Sequence, residues 1–281
     1  MKQYVKETDV EEFISRLQEE EKSPNTLEKY RRDTMAFVCF CTCQKRPLDK
    51  NLTMAYKEEL KKKYKAASAN SMLTAMNRFL TFLGRSDCRV QTLKVQRRIF
   101  CEEREELTKE EYKRLLRTAK RQGDTRLYLL LQTICSTGIR VSELRHITVE
   151  AVRRGRAVVE CKGKQRIIPI PAPLQERLNA YVKKTGVTQG AVFRSLRGSP
   201  MERTLVWKCM KRLCASSGVA AGKVFPHNLR HLFARTFYKA QHDIARLADL
   251  LGHSSIETTR IYLLTTSREC FRQVAQLGLV T

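Results

Sequence analysis

The chain has 281 residues, enough for two domains of ordinary size. Its 42% hydrophobic content excludes a disordered chain. Lysine and arginine number 54 against 29 acidic side chains, a formal net charge of +25. Residues 1–100 hold 21 basic and 13 acidic side chains, and residues 101–281 hold 33 and 16, so both halves carry the excess. A basic surface spread over folded sequence predicts a polyanionic partner such as nucleic acid.

Membrane and secreted classes fit the sequence poorly. No apolar run approaches the roughly 18 residues of a membrane span, and the longest notable cluster is Leu127 to Leu131. The N-terminus shows no apolar stretch typical of a secretory signal. We therefore expect a cytoplasmic protein with no membrane partner. Its 10 cysteines include no C-x-x-C pair, which predicts reduced thiols packed as small core residues and no structural zinc.

The first part of the chain has helical patterns only. Thr8 and Glu11 have the spacing of a capping box, and Ser23-Pro24 predicts the start of a second helix. Further helices are predicted over about 53–65 and 68–83. We expect an all-α domain over residues 1–84. The third helix is strongly basic, and its candidate DNA-binding residues are Lys57, Lys61, Lys62, Lys63 and Lys65.

Residues 85–106 show little periodicity and are interpreted as an interdomain linker, which would follow a phosphate backbone or simply be solvated. Thr108 with Glu111 then predicts a new capping box, followed by a buried helix over 125–135. Two β-branched runs within 156–171 flank a basic turn and predict a hairpin. Helical patterns return from about residue 174. We therefore expect a mostly helical second domain over 107–281 with a small inserted β-sheet.

Two motifs of the second domain combine arginine with a possible anion site. In TGIRVSEL, a glycine turn leads to Arg140 at a helix start, where amide dipoles favour an anion, and Glu143 could orient the guanidinium. In PHNLRH, His227 and Arg230 are three residues apart and share a helix face. Arginine donates bidentate hydrogen bonds to phosphate, and histidine moves a proton near neutral pH.

A third motif, LLGHSSIETTRIY, lies near the end of the chain. Gly252 predicts the end of one helix, and Ser254 with Glu257 predicts the start of the next. His253 lies in the corner between them, and Tyr262 falls near the end of the second helix. Taken singly, these motifs also fit a surface arginine, a helix-capping histidine and a half-buried core tyrosine.

Together the three ordered motifs resemble the tyrosine site-specific recombinases, the phage-type integrase family that includes the lambda-integrase, Cre and Xer-like enzymes. TGIRVSEL resembles the first arginine box, HNLRH the H-x-x-R box, and LGHSSIETTRIY the box that ends in the nucleophile. SPNTLEKYRRD is similar to the N-terminal core-binding, SAM-like domain, so the resemblance covers essentially the whole chain. It implies a mainly α fold in which two domains form a C-shaped clamp on DNA.

The resemblance also implies the chemistry. Tyr262 would attack the scissile phosphate and form a 3′-phosphotyrosine, with no metal, ATP or other cofactor. Arg140, Arg230 and His253 would stabilise the transition state, His227 would transfer the proton, and Glu143 would support them. A hairpin lysine, Lys162 or else Lys164, would protonate the leaving oxygen. Lys164 and Arg166 are further candidate DNA contacts. The sequence has no P-loop and no acidic cluster for two-metal chemistry.

The partners implied are double-stranded DNA with paired core sites and a homotetramer on that DNA, or an assembly with a paralogous recombinase. The segment from residue 263 to 281 has an apolar stripe that would dock on a neighbouring protomer or pack on its own chain: Cys270, Phe271, Val274 and Leu277. A Xer-like housekeeping enzyme and a mobile-element integrase both fit. Other classes left open are an inactive DNA-binding regulator and a type IB topoisomerase or telomere resolvase.

Overall fold

The computed structural model of the chain describes residues 4–95, 106–161, 164–263, 271–272 and 275–276. The chain divides into two compact units, Met1–Arg97 and Arg98–Thr281, each with a hydrophobic core of its own. The predicted class, mainly helical with one small sheet, is confirmed. No helix in these described ranges is long and apolar enough to cross a membrane.

All regular secondary structure in the described part of the first unit is helical, as predicted. Its aromatic core is centred on Phe13, whose ring centroid lies 6.0 Å from that of Tyr30 and 5.4 Å from that of Phe79. Because these rings come from three different helices, their contacts fix the helix packing. The helices are α1 (Glu7–Glu19), α2 (Pro24–Gln44), α3 (Lys50–Lys63) and α4 (Ala66–Phe82), followed by a one-turn 3₁₀ helix at Ser86–Cys88.

Helix starts in this unit follow local capping chemistry. Ser23 caps α2 with Pro24 in the first turn, so the predicted start is confirmed. The cap predicted at Thr8 is wrong, because α1 begins two residues earlier and the backbone N–H of Lys6 donates to Asp9 Oδ2 at 2.9 Å. Val5 and Val10 are both buried on either side of this cap, the spacing of a hydrophobic staple. Burial of this apolar pair favours the earlier start.

Part of the segment predicted as a linker packs on the first unit. Cys88 and Val90 belong to its core. Asn77 binds the backbone of Val90 through both amide atoms, at 2.7 and 3.0 Å, and Asn70 binds Leu93 in the same way at 2.8 and 2.7 Å. Residues 96–105 of the predicted linker lie outside the described residues, and the domain limits at 84 and 107 stay predictions.

The second unit places a helical core beside one antiparallel hairpin. The capping box at Thr108 and Glu111 is confirmed, with its two hydrogen bonds at 3.1 and 2.9 Å. The helices are α5 (Lys109–Arg121), α6 (Thr125–Thr137), α7 (Val149–Arg153), α8 (Ala172–Thr185), α9 (Arg203–Ser217), α10 (Pro226–Gln241), α11 (Ile244–Leu251) and α12 (Ile256–Arg260). One-turn to two-turn 3₁₀ helices lie at Val141–His146, Ala221–Lys223 and Ile261–Leu263.

The predicted hairpin is confirmed as strands β1 (Arg156–Cys161) and β2 (Lys164–Pro169), which pair antiparallel with Val159 opposite Arg166. Ala157 and Ile168 are opposite each other and belong to the core of the second unit. The alternate face carries the exposed pair Val158 and Ile167. The hairpin thus has one face on the core and one in solvent.

Gly138 ends α6 in the left-handed conformation, with φ of +64°. A Cβ atom there would lie 2.5 Å from Cδ1 and 2.7 Å from Cε1 of Phe233 on α10. Two requirements, positive φ and close approach of α10, therefore select glycine at this position.

We expect Gly138→Ala to lower the free energy of unfolding by roughly 2–5 kcal/mol, because left-handed strain of about 1–2 kcal/mol adds to overpacking of about 1–3 kcal/mol. Gly186→Ala is the matched control. Gly186 ends α8 with φ of +67°, but nothing lies within 4 Å of its added Cβ. Gly186→Ala should lower the free energy of unfolding only by the left-handed strain of about 1–2 kcal/mol. Urea unfolding of both variants measures the difference, and equal losses would contradict the close packing of Phe233.

Candidate active site

The site is built around the first two turns of α10. Pro226 occupies the first helical position, and His227, Arg230 and His231 follow at spacings that share one helix face. Arg230 is 1% exposed and is among the largest fully buried side chains in the described ranges. A guanidinium in such a position needs charge-complementary partners, since burial of an unpaired charge is very unfavourable.

Arg230 finds those partners at the ends of two helices. Its Nη1 donates to the carbonyl oxygen of Gly138 at 2.5 Å, and its Nη2 donates to that of Leu251 at 2.6 Å. These carbonyls close α6 and α11, where the helix dipole is negative. Burial, followed by the charge of Arg140, lowers the pKa of Arg230 to about 10, which leaves the group charged at neutral pH.

Arg140 lies at the start of the 3₁₀ helix Val141–His146 and is oriented by Glu143, as predicted. Its Nη1 donates to Glu143 Oε1 at 2.9 Å, and its Nη2 donates to the carbonyl oxygen of Gly252 at 3.1 Å. The Arg140 side chain is 35% exposed, so the guanidinium is partly open to solvent. Glu143 is buried and also accepts from Arg166 Nη2 at 2.5 Å. This carboxylate therefore couples the first motif to the hairpin.

Arg166, a predicted DNA contact, lies mostly buried in the structure. Its side chain is only 11% exposed and ion-pairs with Glu143. A Cβ on Gly252 would lie 2.8 Å from Arg166 Cδ, so this stem packs against the end of α11. The strand alternation explains the difference, because Arg166 points to the opposite face from the exposed Ile167.

His253 is held between an arginine and a buried threonine. Arg230 Nη2 lies 3.0 Å from His253 Nε2, and His253 Nδ1 lies 2.8 Å from Thr259 Oγ1. Because a guanidinium only donates, Nε2 must be the acceptor, and the ring proton of a neutral His253 lies on Nδ1. His253 accepts a hydrogen bond from Arg230 in this arrangement, whereas the role implied for it, stabilising the transition state, needs a donor.

Tyr262 lies in the short 3₁₀ helix Ile261–Leu263 and is 6% exposed. Its hydroxyl is 3.2 Å from His227 Nε2. Ring centroids lie at 4.2 Å for His231, 5.1 Å for His253 and 5.2 Å for His227. The helix before it starts one residue later than predicted, because Ser255, not Ser254, caps α12 and accepts from Glu257 N.

The site histidines are held in the neutral form. Burial lowers the pKa of His227, and the charges of Arg230, Arg140 and Arg203 lower it further. Burial and neighbouring positive charge likewise lower the pKa of His231 and of His253 to about 4 each. A neutral His227 has a free acceptor nitrogen, which matches its contact with the phenol of Tyr262.

The other residues predicted for the site lie away from this cluster or outside the residues that the structure describes. Lys162 is outside the described residues, as is the side chain of Lys164 at the start of β2. Lys57 on α3 is half-buried, and the other predicted lysines of that helix region are exposed: Lys61, Lys62, Lys63 and Lys65. Phe271 is exposed, and the other residues of the C-terminal stripe, Cys270, Val274 and Leu277, lie outside the described residues.

Two residues of the cluster were not assigned from the sequence. His231 stacks on Tyr262, and Thr259 binds His253. The spacing of His231 four residues after His227 was the available signal, because i and i+4 side chains meet on a helix. Thr259 offered no such signal, since a threonine in a short helix is equally common on any face.

The cluster brings together two guanidinium groups, a phenol and a neutral imidazole at the phenol oxygen. Such a set can bind a phosphate anion and activate the phenol as a nucleophile toward it. In the parts of the chain that the structure describes, no three His, Cys, Asp or Glu side chains come together as a metal-ligand group.

Comparisons with known proteins agree with this arrangement. Residues 105–268 match the model of the phage integrase family, and residues 10–87 match that of the phage integrase N-terminal SAM-like domain. The tyrosine recombinase XerA of Pyrococcus furiosus is 29% identical over 281 residues, which cover 96% of this chain and 94% of the relative. The tyrosine recombinase XerD of Proteus mirabilis is 30% identical over 278 residues, covering 90% and 87%.

Solved structures show the same fold. A crystal structure of XerA recombinase matches with a TM-score of 0.55 and 24% identity, covering 98% of this chain and 99% of that chain. A lambda integrase dimer bound to a COC′ core site matches with a TM-score of 0.74 and 20% identity, covering 93% and 96%.

The pKa values of His231 and His253 predict how stability depends on pH. An unfolded histidine with a pKa near 6.5 takes up a proton that the folded site, with a pKa of about 4, does not. The stability that the neutral histidines contribute is therefore fully present above about pH 6.5, and it is lost as the pH falls toward 4. Between pH 7 and pH 5, each histidine should lower the free energy of unfolding by up to about 2 kcal/mol.

Urea unfolding at pH 7 and pH 5 measures this loss of stability. The variant His231→Phe distinguishes the part due to histidine from the part due to protonation of carboxylates. The variant lacks one titrating ring but keeps an aromatic ring, so its loss between the two pH values should be smaller by up to about 2 kcal/mol. The same pH dependence in the wild type and in His231→Phe would contradict a buried neutral His231.

Proposed function

The chain belongs to the phage integrase family, and from that membership and the cluster around Tyr262 we propose that it is a tyrosine recombinase that cuts and rejoins DNA at specific sites. The observation that carries the proposal is the phenol of Tyr262, which lies 3.2 Å from His227 Nε2 and has the guanidinium carbon of Arg230 5.9 Å from its ring centroid. The curated relatives at 29% and 30% identity are themselves tyrosine recombinases and match nearly the whole chain.

In the proposed cleavage, the phenol oxygen of Tyr262 attacks the scissile phosphorus while its proton moves to His227 Nε2. The new P–O bond joins the enzyme to the 3′ end of the cut strand, and the bond to the 5′ oxygen breaks. Because one phosphodiester replaces another, the reverse attack by a 5′ hydroxyl rejoins DNA without ATP or a metal. A phenol is a weak nucleophile until its proton is removed, so it needs such an acceptor.

The arginines would stabilise the negative charge of the transition state. Arg230 uses three of its five N–H donors on Gly138, Leu251 and His253, which leaves donors for a non-bridging phosphate oxygen. Arg140 is more exposed and is aimed by Glu143. Donors already held in place need no reorganisation during the reaction, which is the main source of such stabilisation.

The leaving 5′ oxygen needs a proton, and we propose Lys162 as its donor, with Lys164 as the alternative in the same hairpin. Arg166, three residues before the end of β2, binds Glu143. Lys164 is the first residue of this strand, and Lys162 comes two residues before it in the sequence. The hairpin is therefore anchored to the arginine motif, which supports a lysine of the same hairpin as the acid.

The proposed partner is duplex DNA with paired core sites, bound by a homotetramer or by an assembly with a paralogous recombinase. The net charge of +25 and the exposed lysines Lys62 and Lys65 support phosphate binding. Lys61 and Lys63 lie within 3.5 and 3.7 Å of Glu58 and Glu59, which reduces the positive charge that they offer. A lambda integrase of similar fold has been solved as a tetramer on a Holliday junction.

Tyr262→Phe tests the proposal, because it deletes only the attacking oxygen. Duplexes enriched for binding from a randomised pool, and nicked at successive positions, serve as suicide substrates in buffer containing EDTA. The wild type should form a covalent protein–DNA adduct that survives denaturing electrophoresis, and Tyr262→Phe should form none while binding the same duplexes within about threefold.

Tyr238→Phe is the matched control, since Tyr238 lies on α10 and packs in the same small core cluster. It should retain the adduct. An adduct that persists in Tyr262→Phe would place the nucleophile elsewhere. Binding without any adduct in the wild type would favour an inactive regulator, and relaxation of supercoils without recombinant product would favour a topoisomerase.

Lys162→Ala should slow cleavage of ordinary DNA by roughly 10²–10⁴-fold, the range of a general acid. A substrate with sulfur at the 5′-bridging position should restore its rate, because a thiolate leaves without a proton. Lys164→Ala is the control and should show neither effect. Rescue of Lys164→Ala in place of Lys162→Ala would move the acid by two residues along the hairpin.

A further inference from the structure

His231 makes the closest ring contact of Tyr262 among those in the described chain. The two ring centroids are 4.2 Å apart and the planes are inclined by 23°, the geometry of a stacked pair. The same imidazole meets His227 edge-on, at 4.8 Å and 78°. His231 thus contacts both the phenol and the imidazole that the proposed reaction uses.

We propose that His231 is a positioning residue, which stacks on the phenol ring of Tyr262 and holds its hydroxyl at His227 Nε2. This inference rests on the proposed function of Tyr262. It adds a residue that acts through the nucleophile and takes no part in bond making or proton transfer.

Tyr262 requires such support because the helical segments that carry it are short. It lies in a three-residue 3₁₀ helix that follows the five-residue helix α12. Segments of this length have little helical stability of their own. α10, in contrast, has 16 residues and contains the buried Leu229 and Ala234. A ring mounted on the longer, buried helix can therefore fix a ring mounted on the shorter segment.

The geometry separates His231 from the role of proton acceptor. The hydroxyl of Tyr262 is at hydrogen-bond distance from His227 Nε2, whereas the contact with His231 is between ring faces. The imidazole of His231 lies near the positive charge of Arg230 and against the rings of His227 and Tyr262. Burial and these neighbours lower its pKa to about 4, so it stacks as a neutral ring near pH 7.

The rings also restrict where the phenol can move. His253 lies 5.1 Å from Tyr262 and is inclined by 39°, and the guanidinium carbon of Arg230 is 5.9 Å from the ring centroid. Of these neighbours, His231 alone has no hydrogen bond to another member of the cluster in the described ranges. Its loss would therefore remove the stack and leave the hydrogen-bonded groups in place.

The test compares three substitutions in the full chain by single-turnover adduct formation on the enriched nicked duplexes. His231→Phe keeps a flat ring and should stay within about threefold of the wild-type rate. His231→Asn and His231→Ala remove the ring and should slow adduct formation roughly 10–100-fold, the range for a displaced reacting group. Duplex binding and urea unfolding at pH 7 verify that each variant is folded.

His242→Asn is the matched control, because it makes the same substitution at the C-terminal end of the same helix, where His242 faces Tyr238. It should react at the wild-type rate. The inference is overturned if His231→Asn reacts as fast as the wild type, or if His231→Phe is as slow as His231→Ala, which would indicate proton transfer. Loss of binding in parallel with adduct formation would indicate a purely structural residue and would also overturn it.

These outcomes are distinguishable from failure of the proposed function. If the wild type binds the enriched duplexes but forms no adduct, or if Tyr262→Phe still forms one, the proposed function fails. If the wild type forms the adduct through Tyr262 and the His231 variants all match it, the proposed function stands and only the positioning role is wrong.

Discussion

The active site depends on the burial of one positive charge, that of Arg230. Its guanidinium lies inside the second unit and is held by the last carbonyls of α6 and α11, from Gly138 and Leu251. These groups carry the negative end of each helix dipole and have no partner within their own helices. One side chain of α10 thus satisfies the ends of two other helices. The geometry of all three helices is fixed by the residue proposed to bind the phosphate.

The same charge sets the protonation of its surroundings. The site holds two guanidinium groups, and the nearby histidines, His227, His231 and His253, are kept neutral by burial and by that positive charge. A neutral imidazole can accept the proton of a phenol, whereas an imidazolium cannot. Close packing of arginines therefore favours both the binding of an anion and the activation of Tyr262. The repulsion between like charges is offset by Glu143 and the helix-end carbonyls.

Sequence patterns predicted the fold class, the hairpin and the helix starts at Ser23 and Thr108, because these features depend on local chemistry that the sequence displays. They misplaced the starts at Thr8 and Ser254. At α1, burial of Val5 and Val10 accompanies a start at Lys6, and at α12 the adjacent Ser255 caps the helix in place of Ser254. The motifs also predicted the arginines and two of the histidines that converge around Tyr262, but not His231. They did not predict that the side chain of Arg166 points inward, since the strand register fixes that orientation.

The members of the site are supported to different degrees. Arg230 and Glu143 are buried and bonded to groups distant in sequence, so their positions are determined by the packed core. Tyr262 lies on a short segment and is held mainly by ring contacts and one hydrogen bond. Ring stacking is weaker than a charge-assisted hydrogen bond and less directional. The groups proposed to bind phosphate are therefore held by the core, whereas the proposed nucleophile depends on weaker contacts. In the proposed reaction the phosphate stays on the enzyme as the phosphotyrosine, so arginines held by the packed core can keep it aligned for attack by the incoming 5′ hydroxyl.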